Sequence, residues 1–373
     1  MQTDSEDRTW AVNLEILDNY FKEVITPNFK IEYGGRSTSS TFKSDVFKGQ
    51  IRLPSSFISY KSSDYYHEVK DKKFIHFTSL NTFFRIINNG YFLATQFSNH
   101  DDPLELLFAG NELKEVINKK SINQLKEYVF SLSMCAHTTE TESFNMWRNY
   151  GDNGNGIGIV VSFYPNEKLW KNSFLSKVYY ENEENCLDKF KKFQAAHLRF
   201  LKNNPTSKME RNNSGEEGIA DYFALFLAFH KRYLYEGEQE VRFLKSLLPQ
   251  DAIDVRNETI ELLLNKKNEK CLGYRIPILS KGNLEKRENA LKSKKKVRGG
   301  FGPAELFFPP GTSDTEKLIN GDPFIVIEKV ILGYRFTETD LQKFKKMEND
   351  INRKVGNSRI SFELTSLSKI FHG

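Results

Sequence analysis

The sequence predicts an α+β fold, and three observations carry that expectation. Segments with helical period and segments with strand period are interspersed without a regular βαβ rhythm. Hydrophobic residues make up 39% of the 373, with 31 Phe and 16 Tyr, enough for a sizeable and largely aromatic core. No internal repeat and no long low-complexity tract breaks the pattern. The length fits one large domain with an extension. Residues 1–70 are expected to be an N-terminal helix and loop packing on a main domain at 71–373.

Taken in order, residues 10–25 carry a helical stripe of Trp10, Leu14, Leu17, Phe21 and Val24, and Gly34 to Thr41 reads as a loop. A short apolar strand at 73–77 leads to a helix at 80–89. Ser79 is placed to cap it, Leu80, Phe83, Phe84 and Ile87 form its buried stripe, and Gly90 stops it. A strand at 91–95 follows. Asp102, Pro103 and Glu105 have the spacing of a helix start with a capping box. Strands are expected at 129–134, 157–163, 177–180, 238–244, 325–332 and 360–364, with a helical turn at 146–150 and a tight turn at 151–156. Helices are expected at 186–202, 216–234 (apolar nearly all round, with Ser214 and Glu217 before it) and 337–349.

Composition narrows the function classes. The most apolar run, Tyr222 to Phe229, is far short of the roughly 20 residues a membrane span needs. Met1 to Arg8 is polar and acidic, unlike a secretory signal, so the cytoplasm is the expected location. Cys135, Cys186 and Cys271 have no C-x-x-C spacing and are expected to be free, buried thiols. The net charge of +5 permits an anionic partner. Between 281 and 298 the cations Lys281, Lys286, Arg287, Lys292, Lys294, Lys295, Lys296 and Arg298 stand against only Glu285 and Glu288, which reads as an exposed basic loop.

Four constellations bear chemistry. In His76-Phe77-Thr78-Ser79 an imidazole ends a buried strand, where it can hydrogen-bond a ligand or satisfy local backbone. Trp147 and Tyr150 are three apart, so on a helical turn they share a face suited to stacking on a flat ring or to filling a core. The glycines that follow precede a strand rather than open a helix, so they are not a dinucleotide fingerprint. Glu238, Glu240 and Arg242 fall on one face of a strand, as a carboxylate site or an ion-pair ladder. His100, Asp102 and Glu105 have the atoms of a metal cluster, but helix capping already accounts for most of them.

Together these segments resemble a large bacterial family marked by His-aromatic-Thr-Ser, Asp-Pro-x-Glu, a Phe-Ser strand, Met-Trp-x-x-Tyr and Glu-x-Glu-x-Arg. Here these are His76 to Ser79, Asp102 to Glu105, Phe130-Ser131, Met146 to Tyr150 and Glu238 to Arg242, with Val330 to Gly333 as a late strand. The likeness covers roughly residues 70–365. The order His, aromatic, Glu-x-Glu in turn resembles the ADP-ribosyltransferase superfamily. That resemblance implies a split β-sheet core with surrounding helices and NAD as substrate, with no metal. By the resemblance His76 binds a ribose hydroxyl, Tyr150 or Trp147 packs on nicotinamide, and Glu240 bonds the nicotinamide ribose. Glu238 orients Glu240 or the acceptor, and Thr78 and Arg242 complete the cofactor site. The expected function is ADP-ribosyl transfer to RNA, DNA or protein by a bacterial toxin or phage-defence effector, with the basic segment holding an anionic acceptor and a partner protein able to inhibit it. Two alternatives compete: a metal-dependent nuclease using His76, Asp102 and Glu105, and a non-catalytic nucleic-acid-binding module.

Overall fold

The computed structural model describes residues 18–33, 58–59, 62–70, 72–100, 102, 105–117, 119–137, 144–164, 170, 173–183, 186–204, 225–247, 260–264, 268, 270–286, 289, 323–356 and 360–372. Its strands are β1 (Glu32–Tyr33), β2 (Ile58–Ser59), β3 (Phe74–Thr78), β4 (Tyr91–Gln96), β5 (Val129–Ala136), β6 (Ile157–Tyr164), β7 (Ser173–Lys177), β8 (Tyr179–Tyr180), β9 (His230–Lys231), β10 (Glu240–Ser246), β11 (Ile260–Leu264), β12 (Lys270–Pro277), β13 (Phe324–Leu332) and β14 (Ser361–Leu364). The expected α+β class holds: the chain combines helices with a ten-stranded, mostly antiparallel sheet. No helix among the described residues is long and apolar enough to cross a membrane.

The chain divides into two units. The first comprises residues 1–66, 97–129 and 176–236, and the second 67–96, 130–175 and 237–373. The N-terminal segment expected at 1–70 thus clusters with two later stretches of chain.

The second unit holds the sheet path β11-β12-β4-β5-β3-β6-β13-β14, with β10 pairing with β5 and β7. A parallel bridge between Ile278 and Ile325, with the Leu279 amide donating to the Ile325 carbonyl at 2.8 Å, curls the sheet back on itself. The larger core lines one face with Phe74, Phe92, Leu132, Ile159, Val241 and Phe243. A smaller cluster of Ile75, Phe77, Cys135, Met146, Trp147 and Val160 lies on the other.

Two helices cover the larger core, and both begin where the sequence directs. In Leu80–Asn89 the Ser79 hydroxyl accepts from the Thr82 amide, Gly90 closes the helix at φ 74°, and Phe83, Ile86 and Ile87 are buried. Each such side chain contributes about 1.5–3 kcal/mol of burial. Glu338–Val355 opens with a Thr337–Asp340 capping box and ends at Gly356, φ 63°. It links β13 to β14, which pair in parallel over four residue pairs.

The first unit packs aromatic rings between the N-terminal helical segment and the Asp188–Asn203 helix. Phe29 contacts Phe190, Phe193 and Phe226, and Tyr65 stacks on Phe226 with centroids 4.5 Å apart. The helix expected at 216–234 is not one over its described part. Leu225–Phe229 is a 3-10 turn, followed by β9 and a second 3-10 stretch, Tyr233–Glu238. A run apolar on all sides has no period, so burial alone does not specify an α-helix. Residues 10–17, the loop at 34–41 and the Ser214–Glu217 start lie outside the described residues.

His197 is buried on the Asp188–Asn203 helix, with Nδ1 2.7 Å from the Tyr20 hydroxyl. Burial lowers its pKa from 6.5 to about 4. Its stabilising contribution is therefore complete above pH 6.5 and is lost as pH falls toward 4, by about 3 kcal/mol in all. Acid titration of melting temperature should show this loss in the wild type and a flatter profile in His197→Gln. Parallel profiles would show that His197 is not the group responsible.

Candidate active site

β10 follows directly on the 3-10 stretch Tyr233–Glu238, and Gln239 between them has φ 45°. That left-handed residue breaks the expected alternation. Glu238 is not on the strand with Glu240 and Arg242 but sits at the end of the preceding turn. Glu240 and Arg242 do share a face: Arg242 Nε donates to Glu240 Oε1 at 2.7 Å and Nη2 to Oε2 at 2.9 Å. The pair is sealed from solvent, at 3% and 0% exposure. Both carboxylate oxygens of Glu240 are held by one guanidinium, so this ion pair is a buried brace.

Glu238 is placed differently. It is only partly buried, and its carboxylate accepts a short hydrogen bond from the Tyr150 hydroxyl. Its carbonyl accepts from the Cys135 thiol at 3.2 Å. Tyr150 follows the Phe144–Asn149 helix and is 43% exposed. Trp147, one turn earlier, is fully buried and meets Phe77 edge-on at 4.9 Å. Of the two aromatics offered by the sequence, Tyr150 is accessible and Trp147 belongs to the core.

His76 stands apart. It pairs in register with Ile159, its ring contacts Phe92, and both belong to the larger core. Val241 and Phe243 belong to that core too, so Glu240 and Arg242 point to the opposite face of the sheet. The sheet therefore does not bring His76 and Glu240 into one cleft. Only two residue pairs join β3 to β5, ending at Ile75 and Cys135. Just beyond them His76 Nδ1 lies 3.0 Å from the Ser133 carbonyl. A carbonyl only accepts, so Nδ1 carries the proton and His76 replaces a missing backbone donor. Burial lowers its pKa, and the Ser133 bond opposes this. Thr78 is buried at the end of the same strand.

The glycines after Tyr150 are structural. Gly154 has φ 84° with the Tyr334 ring against it, and a Cβ on Gly156 would lie 2.3 Å from the Thr78 carbonyl oxygen. The Gly156 carbonyl accepts from the Gly333 amide at 3.0 Å. Gly156→Ala should cost about 1–3 kcal/mol, because backbone rather than a flexible side chain must yield. Gly282→Ala, where an added Cβ meets nothing within 4 Å, should be neutral or slightly stabilising. Urea midpoints of the two variants decide this, and equal midpoints would refute it.

In the first unit Asp102 and Glu105 both stand against basic side chains. Asp102 Oδ2 accepts from Arg232 at 2.9 Å, and Glu105 lies between His100 at 2.7 Å and Lys231 at 3.7 Å. Among the described residues no group of three or more His, Cys, Asp or Glu is arranged to hold a metal. A second buried network joins Tyr65, His230 and Cys186, with the Tyr65 hydroxyl 2.9 Å from Nε2 and Cys186 Sγ 3.2 Å from Nδ1. Burial pushes the Cys186 thiol up to about 11, which keeps it an unreactive thiol. All three cysteines are free and buried, as expected. An open polar cavity of about 570 Å³, lined by Asn111, Glu112, Lys114, Lys191, Gln194 and Leu198, contains none of the sequence-predicted site residues.

The basic segment begins as a helix rather than a loop: residues 281–286, including Lys281 and Lys286, are helical. Arg287, Lys294, Lys295, Lys296 and Arg298 lie outside the described residues.

Fold and site together define an α+β chain with an exposed tyrosine–carboxylate corner beside a buried carboxylate–guanidinium brace. Residues 146–243, about a quarter of the chain, match a family described as a protein of unknown function, DUF2971. No curated protein and no solved structure matches the chain. The matched segment starts at the Trp147–Tyr150 turn and ends on β10. Its two ends meet at the Tyr150–Glu238 hydrogen bond, although 88 residues separate the partners.

Proposed function

We propose that the Tyr150–Glu238 corner is the reactive site of an NAD-dependent ADP-ribosyltransferase. The observation that carries this reading is an exposed aromatic ring whose hydroxyl is fixed on a partly exposed carboxylate. Breaking the bond between nicotinamide and ribose builds positive charge on the sugar. A carboxylate held in place stabilises that charge without reorganising. A flat aromatic face beside it suits the departing nicotinamide. The order of motifs along the chain supports the same chemistry by resemblance.

The roles differ from those implied by sequence. Glu238, the accessible carboxylate, stabilises the ribose cation. Glu240 and Arg242 are positioning residues that hold the start of β10 against the sheet. His76, Thr78 and Trp147 take no part. The nuclease alternative has less support, because Arg232 already pairs with Asp102 and Lys231 with Glu105.

The test is release of nicotinamide from NAD by the pure protein, alone and with RNA, DNA or cell extract. Release identifies the chemistry, and labelled NAD then identifies the acceptor. A folded protein that releases none under any of these conditions, and whose melting temperature NAD does not raise, rules the reading out.

A further inference from the structure

β11 ends the sheet path, and among the described residues no strand pairs with its second edge. Exposed edges are ordinarily guarded by lysines, prolines, bulges or a covering loop, because their free backbone groups template further pairing. β11 reads Ile260-Glu261-Leu262-Leu263-Leu264, and Leu262 and Leu264 are 62% and 67% exposed. Its one charge is already answered within the sheet. Glu261 Oε2 accepts from Arg275 Nε at 3.2 Å and from the Tyr91 hydroxyl, while Arg275 lies over the Tyr91 ring at 4.9 Å. The edge is apolar and carries no uncompensated charge to repel a partner.

The strand is also complementary to itself. An antiparallel two-fold centred on Leu262 sets Leu262 against Leu262, Ile260 against Leu264, and Glu261 against Leu263. The apolar residues 260, 262 and 264 of both copies then share one face and pack across the junction. A register centred on Glu261 would instead oppose two carboxylates. We propose that β11 docks antiparallel on β11 of a second copy, joining two sheets edge to edge. So short a contact buries less than about 1,200 Å², which fits a weak dimer.

Sedimentation of the full chain from about 5 to 500 µM should show a reversible dimer, and Leu262→Lys should weaken it at least ~10-fold. The register gives a second readout. Directly opposite residues have Cα atoms about 4.5–5.5 Å apart, within disulfide reach, whereas residues 264 of the two copies lie about 14 Å apart. Under mild oxidation Leu262→Cys should therefore cross-link to a covalent dimer and Leu264→Cys should not; the native cysteines are buried. A wild type that stays monomeric throughout overturns the proposal. So does a dimer indifferent to Leu262→Lys, or equal cross-linking of the two cysteine variants.

Discussion

Arg242→Met, with Glu240 left in place, should destabilise the second unit by about 3–5 kcal/mol, because it removes the guanidinium bonded to both oxygens of a carboxylate buried on the sheet. The cost comes from desolvation. Arg242 now satisfies both oxygens of Glu240 at 2.7 and 2.9 Å, and Glu240 has almost no solvent to turn to. The double variant Glu240→Leu/Arg242→Met should recover at least half of the loss, since two apolar side chains of similar volume replace the buried ion pair. Urea denaturation of the three proteins measures both quantities. If Arg242→Met lies within about 1 kcal/mol of the wild type, the pair is not the sealed brace described.

Glu238→Gln should lower nicotinamide release ~100- to 1000-fold while leaving the unfolding midpoint nearly unchanged. Gln keeps the shape and can still accept from the Tyr150 hydroxyl, so what is lost is the negative charge facing the ribose. Tyr150→Phe, which keeps the ring and removes the hydroxyl's bond to the carboxylate, should cost only about tenfold, an effect of the size of one hydrogen bond. Glu240→Gln should act mainly through stability, with its activity loss following its urea midpoint. The opposite ranking, with Glu240→Gln abolishing release in a stable protein and Glu238→Gln near wild type, would return the reactive role to Glu240. Steady-state rates at saturating NAD beside denaturation curves for the same preparations separate the two cases.

Where the physics is local, the sequence carries the element. Ser79 and Gly90 bound one helix, Thr337 another, and Ile157–Tyr164 and Phe324–Leu332 form the buried strands their apolar runs indicate. The helix capped by Thr337 runs further than expected, to Val355, where Gly356 supplies a left-handed stop. β11 and β12 went unread. Leu262 and Leu264 are exposed leucines on an edge, so the alternation that marks a half-buried strand is missing there. Nothing in Glu238-Gln239-Glu240 announces a positive φ at Gln239, so the sequence pattern extends the strand back to Glu238.

Sequence by itself determined the α+β class, the capped helices, the buried strands and the short set of residues from which a site is built. Tertiary structure alone decided which of them meet. Periodicity tells which residues share a face of their own strand, and it placed Glu240 with Arg242 correctly. It does not tell which face of the sheet that is relative to a distant strand, because a register shift of one residue inverts the answer. That is why His76 and Glu240, neighbours in motif order, point to opposite faces, while Tyr150 and Glu238 come into hydrogen-bonding contact. Long-range strand pairing and the left-handed turn at Gln239 brought them there, and neither is written in any local run of residues.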